Sequence, residues 1–155
     1  MSEPSAGRIR AVLDTNVLVR GLTHATGPSR QLLDALVDAR AFELVTSTEI
    51  LAELGDVLQR PSFRRHVDFS DFEIMRAIRG LRLVAQLVPG AYVELKAVPT
   101  DPDDNLVVAC ALEGGANHIV SDDRRDLLPL KVIHVGGHHP VQVVSPRGFL
   151  RLLGR

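Results

Sequence analysis

Apolar residues recur along this chain in short blocks whose spacing switches between two periods, with polar and turn-forming residues between them. RIRAVLD is rich in β-branched and aliphatic residues and stops at Asp14-Thr15-Asn16, which reads as a strand ending in acid. Gly27-Pro28-Ser29 then opens a segment with Leu32, Leu33, Leu36 and Val37 at helical spacing, predicting a helix from a Ser cap to about Arg40. FELVTS is a second β-rich run, and STEILAELGDVLQ after it places Ile50, Leu51, Leu54, Val57 and Leu58 on one helical face, closed by Pro61. Ser70-Asp71-Phe72-Glu73 has the S-x-x-E form of a capping box and predicts a long helix to about Val88. Pro89-Gly90 marks a turn, and from there to Pro99 both a short strand and a loop remain open.

The second half repeats the alternation. A compact apolar helix starts at Asp104 and ends at Gly114-Gly115, HIVSDD follows as another strand ending in acid, and RRDLLPL reads as a turn or short helix. VIHV and VQVVS supply one or two further strands, and Ser145-Pro146 starts a last helix with Phe149, Leu150 and Leu153. Strands alternating with helices predict an α/β fold: a central, mainly parallel sheet of four to five strands, covered on both faces. Residues 1–7, with Pro4 and Gly7, are expected to form a loose leader, and residues 8–155 a single domain.

Composition narrows the class. An apolar fraction of 45% with 24% charged residues is ordinary for a folded globular chain, so disorder is not expected. The longest apolar run, Leu106 to Leu112, is too short to cross a bilayer, and MSEPSAGRIR lacks the apolar stretch of a secretory signal, so a soluble, cytoplasmic protein is expected. Cys110 is the only cysteine, which excludes an internal disulfide or a thiolate metal cage and leaves core packing as its role. The net charge of −1 gives no global signal for nucleic acid, so any RNA contact must be local. Arg60, Arg64 and Arg65 in QRPSFRR offer forked guanidinium groups for phosphates, or form a solvated turn.

Function in an open parallel sheet is expected beyond the carboxyl ends of the strands, where the strand order reverses. Asp14 and the Asp122-Asp123 pair both end strands, so if those strands are central neighbours their carboxylates converge. Converging carboxylates repel unless one protonates or a hard divalent ion neutralises them, and Mg²⁺ and Mn²⁺ favour such oxygen ligands. Asp101, Asp103 and Asp104 add acids in PTDPDDN, where Asp104 is either a ligand or a helix cap. Glu53 borders the apolar arc of its helix whereas Asp56 lies well away, so it either has a partner or snorkels at the surface. His118, His134, His138 and His139 do not make a zinc site on this reading, because Gly136-Gly137 gives a flexible turn and no cysteine assists.

LDTNVLVRGL, GPSRQLLDAL, ELVTSTEILAELGDVLQRPSF, DPDDNLVVACALEGGANHIVSDDRRDLL and VVSPRGFL together resemble the PIN family, in order from about Arg10 to Leu150. More narrowly they resemble its branch of toxin components of toxin–antitoxin systems, the VapC-like ribonucleases. The resemblance implies a three-layer α/β/α sandwich with an acidic pocket that binds one or two Mg²⁺ or Mn²⁺ ions and hydrolyses RNA. Carried onto this chain, its four acids fall at Asp14, Glu53, Asp104 and Asp123, with Asp122 as the alternative to Asp123, and its small polar positions at Asn16 and Ser121. AVPT, ahead of DPDDN, lacks the basic residue expected of that branch, a place that Arg124 and Arg125 could take.

The expected function is therefore a metal-dependent endoribonuclease, the toxin of such a pair, with the resemblance also implying an antitoxin partner and a homodimer. Two rivals keep the fold: a non-catalytic module that binds RNA or protein, and a housekeeping RNA-processing nuclease. An aspartate-nucleophile phosphotransferase of the haloacid-dehalogenase type would also end its first strand in acid. It would want a second Asp two residues on, where this chain has Asn16.

Overall fold

The computed structural model describes residues 8–90 and 102–155, with side chains in the second span from Asp104 onward. The expected leader, the stretch leading to Pro99 and Asp101 lie outside the described residues, as does the side chain of Asp103.

Among the described residues the sheet has six strands, one more than the upper expectation: β1 (Arg10–Leu13), β2 (Glu43–Ser47), β3 (Gln86–Val88), β4 (His118–Val120), β5 (Val132–Ile133) and β6 (Val141–Val144). Their order is β3-β2-β1-β4-β6-β5, parallel throughout except for the edge pair β5–β6. Since β1 has β2 on one side and β4 on the other, the chain reverses direction across the sheet between β1 and β4. Helices α1 (Thr15–Thr23), α2 (Pro28–Ala39), α3 (Thr48–Gln59), α4 (Pro61–Arg64), α5 (Asp71–Val84), α6 (Pro102–Glu113) and α7 (Pro146–Leu152) complete the α/β/α layers.

Four local readings change. Helix α1 begins directly after the first strand, because the Asp14 carboxylate caps it by accepting from Thr15 N. Helix α2 is capped by Gly27 at φ 104°, a conformation open to glycine, with Pro28 in the first turn, so Ser29 is buried rather than capping. Helix α5 ends at Val84, and Gln86–Val88, expected as its last turn, pair with β2 instead. Helix α6 starts at Pro102, which makes Asp104 its third residue and not its cap. Half of the capping box forms: Ser70 Oγ accepts from Glu73 N at 3.2 Å, while the Glu73 carboxylate returns to the Ser70 hydroxyl at 3.1 Å and not to its backbone amide.

The core lies between the sheet and the helices, with Val12, Leu13, Val45, Ile119 and Val120 from the strands fully buried. Cys110 is buried in it, and that burial, with Glu113 nearby, pushes its thiol up to about 12, so it stays protonated and unreactive. Gly114 is needed for close packing of the end of α6, since a Cβ there would stand 2.3 Å from Val45 Cγ1 and 3.0 Å from Val88 Cγ1. Among the described residues no helix is long and apolar enough to cross a membrane.

Helix α7 is fastened by Phe149, whose ring meets Phe42 edge to face with centroids 5.1 Å apart. Phe149→Ala should destabilise the protein by about 3–5 kcal/mol, read as a lowered urea midpoint, because both rings are buried and the site cannot collapse freely. The His118 ring lies 5.9 Å from the same phenylalanine, and burial pushes its pKa below the ordinary 6.5. The unfolded chain then takes up this proton first, so the contribution of neutral His118 is complete above pH 6.5 and is lost as pH falls through the folded value. Melting temperature followed from about pH 8 to about pH 5 should fall less steeply in His118→Leu than in the wild type; equal slopes would assign the decline elsewhere.

Candidate functional site

Beyond the last residues of β1 and β4 the two chains stay in register, Leu13 opposite Val120, so Asp14 and Ser121 come side by side. The ladder continues with Asp14 N donating to Val120 O at 2.9 Å. Ser121, fully buried, donates from Oγ to Asp14 Oδ2 at 2.9 Å and accepts from Asp123 N at 2.9 Å. One hydroxyl thus ties the acid after β1 to the backbone of the acid after β4. Thr15, the next residue, donates from Oγ1 to Glu53 Oε2 at 3.0 Å, which brings the α3 carboxylate to the same end of the sheet.

Among the described residues Asp104, Asp123 and Asp126 form a carboxylate group, each offering an oxygen within 4.8 Å of the others. Asp104 is buried at 4% exposure on the first turn of α6, while Asp123 and Asp126 are half-buried. Asp123 shapes the turn that presents the third acid, since its Oδ1 accepts from Arg125 N and Asp126 N, both at 3.0 Å. Asp126 was missed in the sequence. Its one available signal was the D-R-R-D spacing, which joins two carboxylates only if the backbone turns between them.

Asp122 faces another way, forming an ion pair with Arg20 Nη1 at 3.1 Å, so of the two adjacent acids only Asp123 enters the cluster. Asn16 is exposed on α1, and no hydrogen bond joins it to the acids among the described residues. Arg124 and Arg125 are exposed on the Asp123 turn, beside the acids. Arg60 is exposed at the far end of α3, about 10 Å along the axis from Glu53 for seven residues at 1.5 Å each, and Arg65 is exposed at the end of α4 beyond it. Arg64 is engaged by Asp71. His134 and His138 are exposed, His139 meets the Ala116 carbonyl, and no histidine joins the acidic group among the described residues.

Like charges at 4.8 Å repel by roughly 3 kcal/mol per pair at an effective dielectric of 20, and a cation removes that cost. The donor set fits a hard divalent ion: all oxygen, one member buried, no sulfur or imidazole. To share one octahedral ion of the magnesium class the three carboxylates would draw closer together, and they would fill three of its six positions, leaving the rest to water or substrate oxygens.

An α/β/α protein whose strand-order reversal carries an acidic, cation-compatible cluster is the class that fold and site define. The PIN domain family profile matches residues 10–125, and the chain belongs to the PIN-domain family, whose members are in general nucleases. An uncharacterised protein of Methanocaldococcus jannaschii is 26% identical over 148 residues, covering 92% of this chain and 90% of its own. Among solved structures the chain is similar in fold to VapBC2 from Rickettsia felis bound to a DNA fragment from their promoter, with a TM-score of 0.51 and 16% identity. That match covers 76% of this chain and 90% of the other.

Loss of one carboxylate from the cluster should be felt directly in cation affinity. Asp126→Asn is expected to weaken Mn²⁺ binding about tenfold in calorimetric titration, while Asp122→Asn leaves it close to wild type. Equal losses in both variants would mean that overall negative charge, and not this cluster, holds the ion.

Proposed function

We propose that this protein is a Mg²⁺- or Mn²⁺-dependent endoribonuclease and the toxin half of a toxin–antitoxin pair. The observation that carries the reading is the convergence of Asp104, Asp123 and Asp126 beside the Asp14–Ser121 bridge, at the strand-order reversal of a PIN-domain chain. The likeness to VapBC2 of Rickettsia felis supports an antitoxin partner, and the family supports RNA as substrate. The working place is the cytoplasm.

Asp104, Asp123 and Asp126 would hold one ion, and Asp14 and Glu53 border the place where a second could bind. A bound divalent ion supplies charge neutralisation at the phosphodiester and a more acidic water. The chain's own residues do the rest. Asp14, fixed by Thr15 N and Ser121 Oγ on its two oxygens, presents its charge in one orientation. Glu53, held by the Thr15 hydroxyl, orients the attacking water and takes its proton. Arg124 and Arg125 contact the neighbouring phosphates from the exposed turn, the role for which Arg60, Arg64 and Arg65 stand farther away.

Defined RNAs incubated with Mg²⁺ or Mn²⁺ test the reading, with a chelator as control. Asp14→Asn should lower cleavage by at least about a hundredfold while the far-ultraviolet spectrum is unchanged. Undiminished cleavage by that variant refutes the assignment, and RNA retained but never cut by the wild type favours a binding module.

A further inference from the structure

Helix α1 brings a guanidinium to the rim of the acid centre that neither the carboxylate group nor the Asp123 turn uses. Arg20, in the last turn of α1, lies four residues beyond Asn16, so the two stand one above the other on the same exposed face. That row starts next to Thr15, whose hydroxyl holds Glu53, and leads away from the acids by about 6 Å to Arg20.

Among the described residues the Arg20 side chain makes one polar contact, from Nη1 to Asp122 Oδ2 at 3.1 Å. Asp122 sits between Ser121, which bonds Asp14, and Asp123, a member of the carboxylate group, with its Cα about 3.8 Å from each of theirs. The arginine is thus held within one residue of the acids. The pair is easily opened, because its side chains are 62% and 30% exposed and an exposed ion pair on a single contact contributes little to stability. Most of the guanidinium N–H groups are left over by Asp122, and a fork of that shape can meet two oxygens of a phosphate at once.

A nucleic acid strand laid over the gathered carboxylates meets repulsion and needs cations on either side of them. Arg124 and Arg125 stand on the turn after β4; on α1 the basic residue is Arg20. We propose that Arg20 is a phosphate-binding residue for RNA, held on Asp122 until a backbone phosphate takes the place of that carboxylate. Asp122 is then an internal competitor of the strand, and Arg20 a contact on the α1 side of the acids. The inference rests on the ribonuclease reading and adds this contact to it. A pair that only clasped the turn after β4 to α1 would act differently, since its loss would loosen Asp123 and weaken the hold on an ion.

Three measurements on the full chain test it, with circular dichroism to check folding: anisotropy of short fluorescent uridine and adenosine oligoribonucleotides with Ca²⁺ as the ion, cleavage kinetics with Mg²⁺ or Mn²⁺, and Mn²⁺ titration. Arg20→Ala should bind both oligonucleotides about tenfold more weakly and by the same factor, because a phosphate carries no sequence. The slope of log affinity against log salt should shrink by about 0.7, the share of one phosphate contact on a single strand. In cleavage the larger part of the loss should fall on KM, and Arg20→Lys should regain some of it. Asp122→Asn, which releases the arginine, should bind about threefold more tightly. The double variant Arg20→Ala/Asp122→Asn has the net charge of the wild type and should nonetheless keep most of the Arg20→Ala loss. Recovery of wild-type affinity in that variant overturns the proposal, because summed charge alone would then govern binding. So does an Arg20→Ala variant whose Mn²⁺ affinity falls as far as its RNA affinity, the mark of a clasp. A wild type that neither binds nor cuts RNA removes the ribonuclease reading and this inference with it, whereas RNA cut by the wild type and by Arg20→Ala with equal KM removes this inference alone.

Discussion

The site depends on a single buried hydrogen bond, from Ser121 Oγ to Asp14 Oδ2, made possible by the parallel pairing of β1 with β4. Two segments more than 100 residues apart in sequence leave the sheet at the same level, and the serine locks them before either chain can diverge. The hydroxyl satisfies one oxygen of a nearly buried carboxylate, and the amide of Asp123 satisfies the hydroxyl in turn. A carboxylate at this depth without such donors would be strongly penalised. The turn after β4 follows from that fixed start, because Asp123 Oδ1 gathers two successive amides and thereby sets Asp126 beside Asp104. Electrostatic repulsion is thus held in place by side-chain and backbone hydrogen bonds at the carboxyl ends of the two central strands.

Much of this was legible in the residues because apolar runs that end in acid carry two messages at once, a strand and a charge at its carboxyl end. RIRAVLD and HIVSDD were read on that pattern, and the strand order then places them as neighbours. What escaped was set by context. Val17 and Val19 prolong the β-branched character of the first strand, so nothing local announces that the chain becomes helical at Thr15; the Asp14 cap and packing against α2 and α3 decide it. The strand β3 is three residues long with two of them exposed, too short to show alternation, and its identity comes from the free edge of β2. Asp126 was hidden for the same reason, since a turn stabilised by side-chain-to-backbone bonds has no periodicity to detect. Asp122 and Asp123 are equal by residue type, and only the Arg20 ion pair and the Ser121 bond tell them apart.

A net charge near neutrality concealed a second organisation. Averaged over the chain, acids and bases nearly cancel. In space they separate, with carboxylates gathered at the carboxyl ends of the strands and arginines repeated along α5. Close together the two sets would pair and neutralise one another, and a helix stands between them.

That helix is α3, and its geometry sets its two neighbours on opposite sides. A Cβ built at Gly55 would meet Ile78 of α5 at 3.3 Å, so α5 packs on the side of α3 that Gly55 faces. Residues two apart on a helix point about 200° from each other, which turns Glu53 to the opposite side, where Thr15 holds it. The α5 side of α3 and the carboxylate side therefore face apart. The absence of a side chain at Gly55 also lets α5 approach closely, and a bulkier residue there would push α5 outward without touching the carboxylates. Helix α3 thus gives one face to packing with α5 and the opposite face to the carboxylate beside Thr15.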